Sequence, residues 1–161
     1  MGTGKTYWGK RWAAEHNLEF YDLDACIEEA TGLTIPQIFA EHGEGFFRKK
    51  EQELLHSFAG KSNFILSTGG GTPCFFDNMD WMNRHGKTIY LETPVKVLKQ
   101  RLISEKDHRP LIKNLKDDEI EIFINNKLNE RNVYYQQAAI ILDTVSVEDS
   151  TFLKINSDDV N

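Results

Sequence analysis

Gly2-Thr3-Gly4-Lys5-Thr6 is the densest piece of chemistry in this chain. A polyphosphate tail needs backbone N–H groups pointing inward, and glycines let the backbone approach without a Cβ in the way. Lys5 supplies a compact positive charge for the outer phosphates, and the Thr6 hydroxyl is a ligand for Mg²⁺. The segment is the second half of the pattern G-x-x-x-x-G-K-[ST], which follows a buried strand. The first glycine of that pattern, and its strand, are expected upstream of residue 1. Such a strand is usually central and covered on both faces. A domain lacking it would leave interior backbone groups unpaired at about 1–3 kcal/mol each. Total stability is only about 5–15 kcal/mol, so a sequence that starts inside the motif is favoured over a fold without the strand.

Other residues could share this chemistry. Asp22 and Asp24 stand at the end of a strand-like run, Leu18–Asp24. Ligands of open parallel sheets bind beyond the strand ends, and residues two apart on a strand share a face. One carboxylate could then bind Mg²⁺ through water while the other orients or deprotonates an acceptor hydroxyl. The plainer reading makes Asp24 the cap of the next helix. Arg48 and Glu51 sit at i, i+3 on one helix face, either as a carboxylate-binding fork with its orienting acid or as an ordinary surface ion pair. Gly69-Gly70-Gly71 follows a strand directly. Three glycines in a row are entropically costly, which implies that something approaches the backbone closely. The expected visitors are the γ-phosphate or the acceptor. Arg109, in a polar loop with Pro110 and Leu111, could close over a triphosphate. Arg131, with Tyr135, offers a second cation for an anionic substrate, or a charge that complements the helix dipole. The five histidines have no ligand spacing with one another, so no zinc site is implied.

The positioning elements alternate between strand and helix, which predicts an α/β domain with a parallel sheet. Helices are expected from Lys5 to about His16, from Ala25 to about Ala59 with breaks at Gly32 and Gly43, over Asp77–Arg84, after a Thr93 cap with Pro94 at the first helical position, and after an Asp117 cap,. Thr34-Ile35-Pro36-Gln37 has the form of a capping box. Further strands are expected at Asn63–Ser67, Lys87–Glu92 and Ala139–Asp143, and residues 104–116 read as a loop. The tail from Thr144 is acidic and weakly patterned, without an amphipathic helix. A length of 161 residues fits one domain, 1–161,. A net charge of −6 argues against a nucleic-acid or anionic-membrane surface,. No apolar run is long enough to span a bilayer, and no signal peptide is visible. Two cysteines, Cys26 and Cys74, make no disulfide framework and fit a reducing cytoplasm,.

In order, Gly-Thr-Gly-Lys-Thr at 2–6, Asp-Leu-Asp at 22–24, Phe-Arg-x-x-Glu at 47–51, Gly-Gly-Gly at 69–71, Arg-Pro-Leu at 109–111 and Arg-x-x-x-Tyr at 131–135 resemble shikimate kinase. The resemblance runs from residue 1 to about 143. It implies a three-layer P-loop fold on a five-stranded parallel sheet of order 2-3-1-4-5. It further implies a substrate-binding helical region at about 25–59 and a lid at about 104–116. The reaction implied is ATP-dependent phosphorylation of the shikimate 3-hydroxyl, on the route to chorismate and aromatic amino acids. Gly2, Thr3, Gly4, Lys5 and Thr6 would hold ATP, Arg101 would pack on adenine, and Arg109 would be the lid arginine. Thr6 and Asp22 would hold Mg²⁺. Asp24, Arg48, Gly70, Gly71 and Arg131 would hold shikimate, with Lys5, Asp24 and Arg109 as the catalytic set. The partner expected is this small molecule alone, for a monomer in the cytoplasm, with no nucleic acid and no membrane. Two alternatives stay open: a non-catalytic or truncated relic of the fold, and a related kinase acting on another carboxylate-bearing acceptor.

Overall fold

Two parallel strand pairs organise the chain, each with its own helices. The computed structural model describes residues 2–106 and 112–157, with side chains to 155. It divides into two compact units, one of residues 5–86 and one of residues 87 onward together with the first four.

In the unit of residues 5–86, helix α1 (Lys5–Glu15) packs on strands β1 (Glu19–Asp22) and β2 (Phe64–Ser67). The strands run parallel, with Glu19 opposite Phe64 and Asp22 opposite Ser67. Each is entered beside an asparagine in the left-handed region, Asn17 and Asn63, a conformation that asparagine tolerates better than most residues. Gly9 faces the sheet, and a Cβ there would lie 2.7 Å from Phe20 Cε2. Lys5 and Thr6, in the first turn of α1, are therefore held by a helix seated unusually close to its strands.

Helix α2 (Leu23–Thr31) starts on an Asp22 cap and stops at Gly32, whose φ of 69° puts it in the left-handed region. Its N–H closes the helix on the Glu28 carbonyl at 2.9 Å,. Helix α3 (Ile35–Glu41) begins as the capping pattern requires: Gln37 Oε1 accepts from the Thr34 N–H at 2.9 Å and from its hydroxyl at 2.8 Å. Helix α4 (Gly43–His56) follows. The core of this unit is Leu23, Ile27, Ile38, Phe47, Leu55 and Phe58. The spacings Leu23/Ile27 and Phe47/Glu51/Leu55 are one helix face each, and full burial of each such apolar side chain contributes about 1.5–3 kcal/mol. A short 3₁₀ turn, Thr72–Cys74, and helix α5 (Asn78–His85) complete the unit.

In the other unit, β3 (Ile89–Glu92) and β4 (Ile140–Asp143) pair in parallel. Helices α6 (Val95–Ser104) and α7 (Asp117–Tyr135) pack through Leu98, Leu102, Ile120 and Ile124, with Ile112 from between them in the same cluster. Helix α8 (Thr151–Ser157) follows β4, and the Ile155 carbonyl accepts from Lys87 Nζ at 2.8 Å. Gly2 lies against Leu98 and Leu102, and its carbonyl accepts from Arg101 Nη1 at 2.9 Å.

The α/β class with parallel strands is as expected. Among the described residues the strands form two separate two-stranded parallel sheets, β1–β2 and β3–β4. Three local expectations are corrected. The acidic tail does contain a helix, α8, whose Phe152 and Ile155 are buried; a helix of seven residues is too short to show two periods of pattern. Thr93 does not cap α6: Pro94 stands at that position, and the Thr93 hydroxyl instead accepts from Thr144 at 2.9 Å. Asp117 is already inside α7, while the Lys116 N–H before it is held by Glu119 at 2.6 Å. Residues 107–111, the middle of the expected lid, lie outside the described residues. Among the described residues no helix is long and apolar enough to cross a membrane.

Replacing a helical glycine by alanine normally stabilises by about 1 kcal/mol. At Gly9 the added methyl meets the Phe20 ring, so Gly9→Ala is expected to cost about 1–3 kcal/mol in urea unfolding. A gain in stability would show that α1 is not tightly seated.

Candidate active site

The carboxyl end of β1 gathers the first charges. Asp22, its last residue, uses both oxygens: Oδ1 accepts from the Asp24 N–H at 3.1 Å, and Oδ2 accepts from the Thr6 hydroxyl at 3.3 Å. The strand stops there. Asp24 sits in the first turn of α2, so the two carboxylates do not share a strand face, and Asp22 rather than Asp24 is the helix cap. The strand end and the cap use the same residue, which no spacing argument separates. Burial pushes the Asp24 carboxyl above its ordinary value of 3.8, and the negative charges of Asp22 and Glu51 push it the same way, with Lys5 opposing. Lys5, Asp22 and Glu51 therefore each lie within electrostatic reach of Asp24.

Glu51 anchors the second half of the site. It occupies the buried stripe of α4 between Phe47 and Leu55. Its Oε2 accepts from Arg48 Nη1 at 2.8 Å and its Oε1 accepts from the Thr72 hydroxyl at 2.6 Å. The pair is not an ordinary surface one, since the two side chains are only 12% and 1% exposed. Arg48 also donates from Nε and Nη2 to Glu44 Oε1, at 3.2 and 3.1 Å. Three of the five guanidinium N–H groups are thus used. Among the described residues one remains on each terminal nitrogen, the number a flat carboxylate takes,.

The glycines earn their place here for a reason the sequence did not reveal. A Cβ on Gly71 would lie 2.8 Å from Arg48 Nη2 and 3.0 Å from Nη1. A Cβ on Gly69 would crowd Thr72 Oγ1 at 3.1 Å, Glu51 Oε1 at 3.2 Å and Asp24 Oδ1 at 3.4 Å. The close approach is made by the protein's own polar groups. Thr72 fixes the turn from within: its N–H donates to the Gly69 carbonyl at 3.1 Å, and its carbonyl accepts from buried Asn78 Nδ2 at 2.9 Å. Thr72, Asn78 and Glu44 were not singled out from the sequence. Only Glu44, four residues before Arg48, carried a spacing that could have shown it.

Among the described residues no group of three or more His, Cys, Asp or Glu could hold a metal by itself. The Thr6 hydroxyl and Asp22 carboxylate nevertheless form the small hard-oxygen set that Mg²⁺ takes when it keeps its waters and shares phosphate oxygens. Gly2 and Gly4 have φ of 72° and 90°, conformations that require glycine,. Arg101 is spent partly on the Gly2 carbonyl. Arg131 is half-buried on α7, and among the described residues it makes no hydrogen bond or ion pair. Arg109 lies outside the described residues.

A family model described as shikimate kinase matches residues 1–157. A shikimate kinase of Bacteroides thetaiotaomicron is 44% identical over 149 residues, covering 92% of this chain and 85% of the relative. One of Phocaeicola vulgatus is 42% identical, covering 98% of this chain and 90% of the relative. Among solved structures, the 1.7 Å crystal structure of the Bacteroides thetaiotaomicron enzyme superposes with a TM-score of 0.87 at 41% identity, covering 99% of this chain and 91% of that one. The Acinetobacter baumannii enzyme in complex with shikimate gives 0.81 at 32% identity, covering 99% and 87%.

A carboxyl whose folded pKa is raised adds its stability below the ordinary value and loses it as pH climbs through the raised one. Near neutrality the charged Asp24 is thus a burden on the fold. Asp24→Asn is expected to melt about 2–4 °C higher near neutral pH, with the gap closing as pH falls toward 3.8. Calorimetry across that range checks it; a constant gap, or a lower melting point for the variant near neutrality, contradicts it.

Proposed function

This chain belongs to the shikimate kinase family, and on that premise we propose that it transfers the γ-phosphoryl group of ATP to the 3-hydroxyl of shikimate. The observation that carries this reading is the Arg48 fork. A buried acid holds it beside Gly71 with two N–H groups to spare, and the raised Asp24 carboxyl lies within electrostatic reach of that same acid.

The chemistry then divides among named residues. Arg48 takes the acceptor's carboxylate, with Arg131 as the second cation and the backbone of Gly70 and Gly71 beside it. Asp24 binds the ring hydroxyls and takes the proton of the 3-hydroxyl as its oxygen attacks phosphorus. Its raised pKa brings it closer to working pH than a solvated aspartate, which suits a general base,. Phosphoryl transfer leaves little covalent work, so neutralising charge on the moving group is most of the task. Lys5 does this at the β/γ-phosphates and Arg109 does it from the lid, while Gly2, Thr3 and Gly4 cradle the chain of phosphates and Arg101 packs on adenine. Thr6 and Asp22 would hold Mg²⁺, which would supply further positive charge at the phosphates when bound.

ADP release measured with ATP and Mg²⁺ is expected to depend on shikimate; a rate equal with and without it refutes the assignment. Lys5→Ala and Arg109→Ala are expected to lower kcat by about 10²-fold or more with an unchanged melting point. Losses of stability parallel to the losses of rate would remove those roles. Alanine at position 48 would strand the buried Glu51 charge at about 3–5 kcal/mol, so lysine is the informative change. Arg48→Lys keeps the charge and loses the fork. It should raise the KM for shikimate about 10- to 100-fold, the range of a charged hydrogen bond, while the KM for ATP stays within about twofold. The reverse ordering of the two constants would take Arg48 out of the acceptor site.

A further inference from the structure

We propose that Phe75 is a positioning residue for the acceptor's carboxylate, because its ring sets the plane in which Arg48 presents its two remaining N–H groups. The proposal rests on Arg48 as the carboxylate clamp. The guanidinium carbon of Arg48 lies 4.0 Å from the centroid of the Phe75 ring. That is closer than the neighbouring Phe47 ring on α4, at 4.9 Å. Glu44 and Glu51 hold the guanidinium by its edges, but hydrogen bonds tolerate tilt over tens of degrees. An aromatic face against the cation opposes that tilt, attracts the charge and excludes water from one side.

The position of the ring is built rather than incidental. Phe75 takes no part in the apolar cluster of its unit, so core packing does not account for it. The adjacent Phe76 is 56% exposed, whereas Phe75 is half-buried. The segment that carries it is tied at both ends: Cys74 N–H donates to the Gly71 carbonyl at 2.9 Å, and Asn78 N–H reaches the Phe75 carbonyl at 3.3 Å. Fully buried Asn78 also holds the Thr72 carbonyl. One anchored turn therefore delivers the Gly71 backbone and the Phe75 ring to the same guanidinium. A bidentate carboxylate needs a plane as well as a charge, and Phe75 supplies the constraint on that plane.

Phe75→Leu and Phe75→Met remove the ring and keep an apolar side chain; Phe75→Tyr keeps the ring. In both the leucine and the methionine variants the KM for shikimate is expected to rise about fivefold, the scale of a partly exposed cation–π contact. The KM for ATP should stay unchanged, and tyrosine should restore the wild-type value. The neutral carboxamide of shikimate, scored by its inhibition constant against shikimate, should bind all four proteins alike, because it has no charge for the fork to hold. A loss shared equally by the carboxamide or by ATP, or one that tyrosine does not restore, assigns the ring a general structural role and overturns the proposal. So does an unchanged KM in the leucine and methionine variants while Arg48→Lys raises it. No shikimate-dependent ADP from the unaltered protein would overturn the reaction assignment, and the proposal with it.

Discussion

A carboxylate sealed inside a helix face must be satisfied on both oxygens, and in this protein that demand falls on Glu51. A lone buried charge of this kind costs several kcal/mol, so its two partners are obligatory. Arg48 answers on one oxygen and is thereby drawn in from the surface. Thr72 answers on the other and is thereby pinned, which sets the glycine turn before it and the 3₁₀ turn that begins with it. Asn78, fully buried at the start of α5, holds the far side of the same threonine. The apolar stripe of α4 is thus interrupted by one acid, and Arg48, Thr72 and the glycine turn are assembled around the interruption.

The same region collects more negative charge than the fold would choose. Asp22 and Glu51 both act on Asp24, and the positive charge that opposes them there is Lys5. In a structural role such crowding would be a defect. Perturbed carboxyls of this kind cluster where proton transfer is done. Asp22 shows how tightly the roles are layered, because one carboxylate ends a strand, caps a helix and receives the Thr6 hydroxyl.

Much of this was readable in the chain. The helix after Thr34 begins with an acceptor side chain three residues on, and the strands came from short apolar runs next to turn residues. Glu51 was legible as the partner of Arg48, though not as buried, because i, i+3 spacing says nothing about which helix face the pair occupies. Asp24 was assigned to the strand because an extended end and a capped helix start have the same composition. The final helix was missed because its buried residues, Phe152 and Ile155, are one apolar pair in an acidic tail. Thr72, Asn78 and Phe75 act through contacts made by a turn, and a turn has no period to betray its inward side. The triple glycine was recognised as a place of close approach, yet the group approaching it, Arg48, comes from another helix.

Gly71 has φ of −89° and ψ of −22°, backbone angles that any residue adopts with ease. What excludes a side chain there is the guanidinium of Arg48, which supplies every one of the nearest atoms. The two positions are therefore coupled sterically. A lineage that first lost the arginine would be free to fill position 71 with almost anything. Once filled, that position would bar the arginine's return until the glycine was regained. Loss of the arginine becomes a ratchet once position 71 is filled: two substitutions lead in, and two more, in the reverse order, lead out.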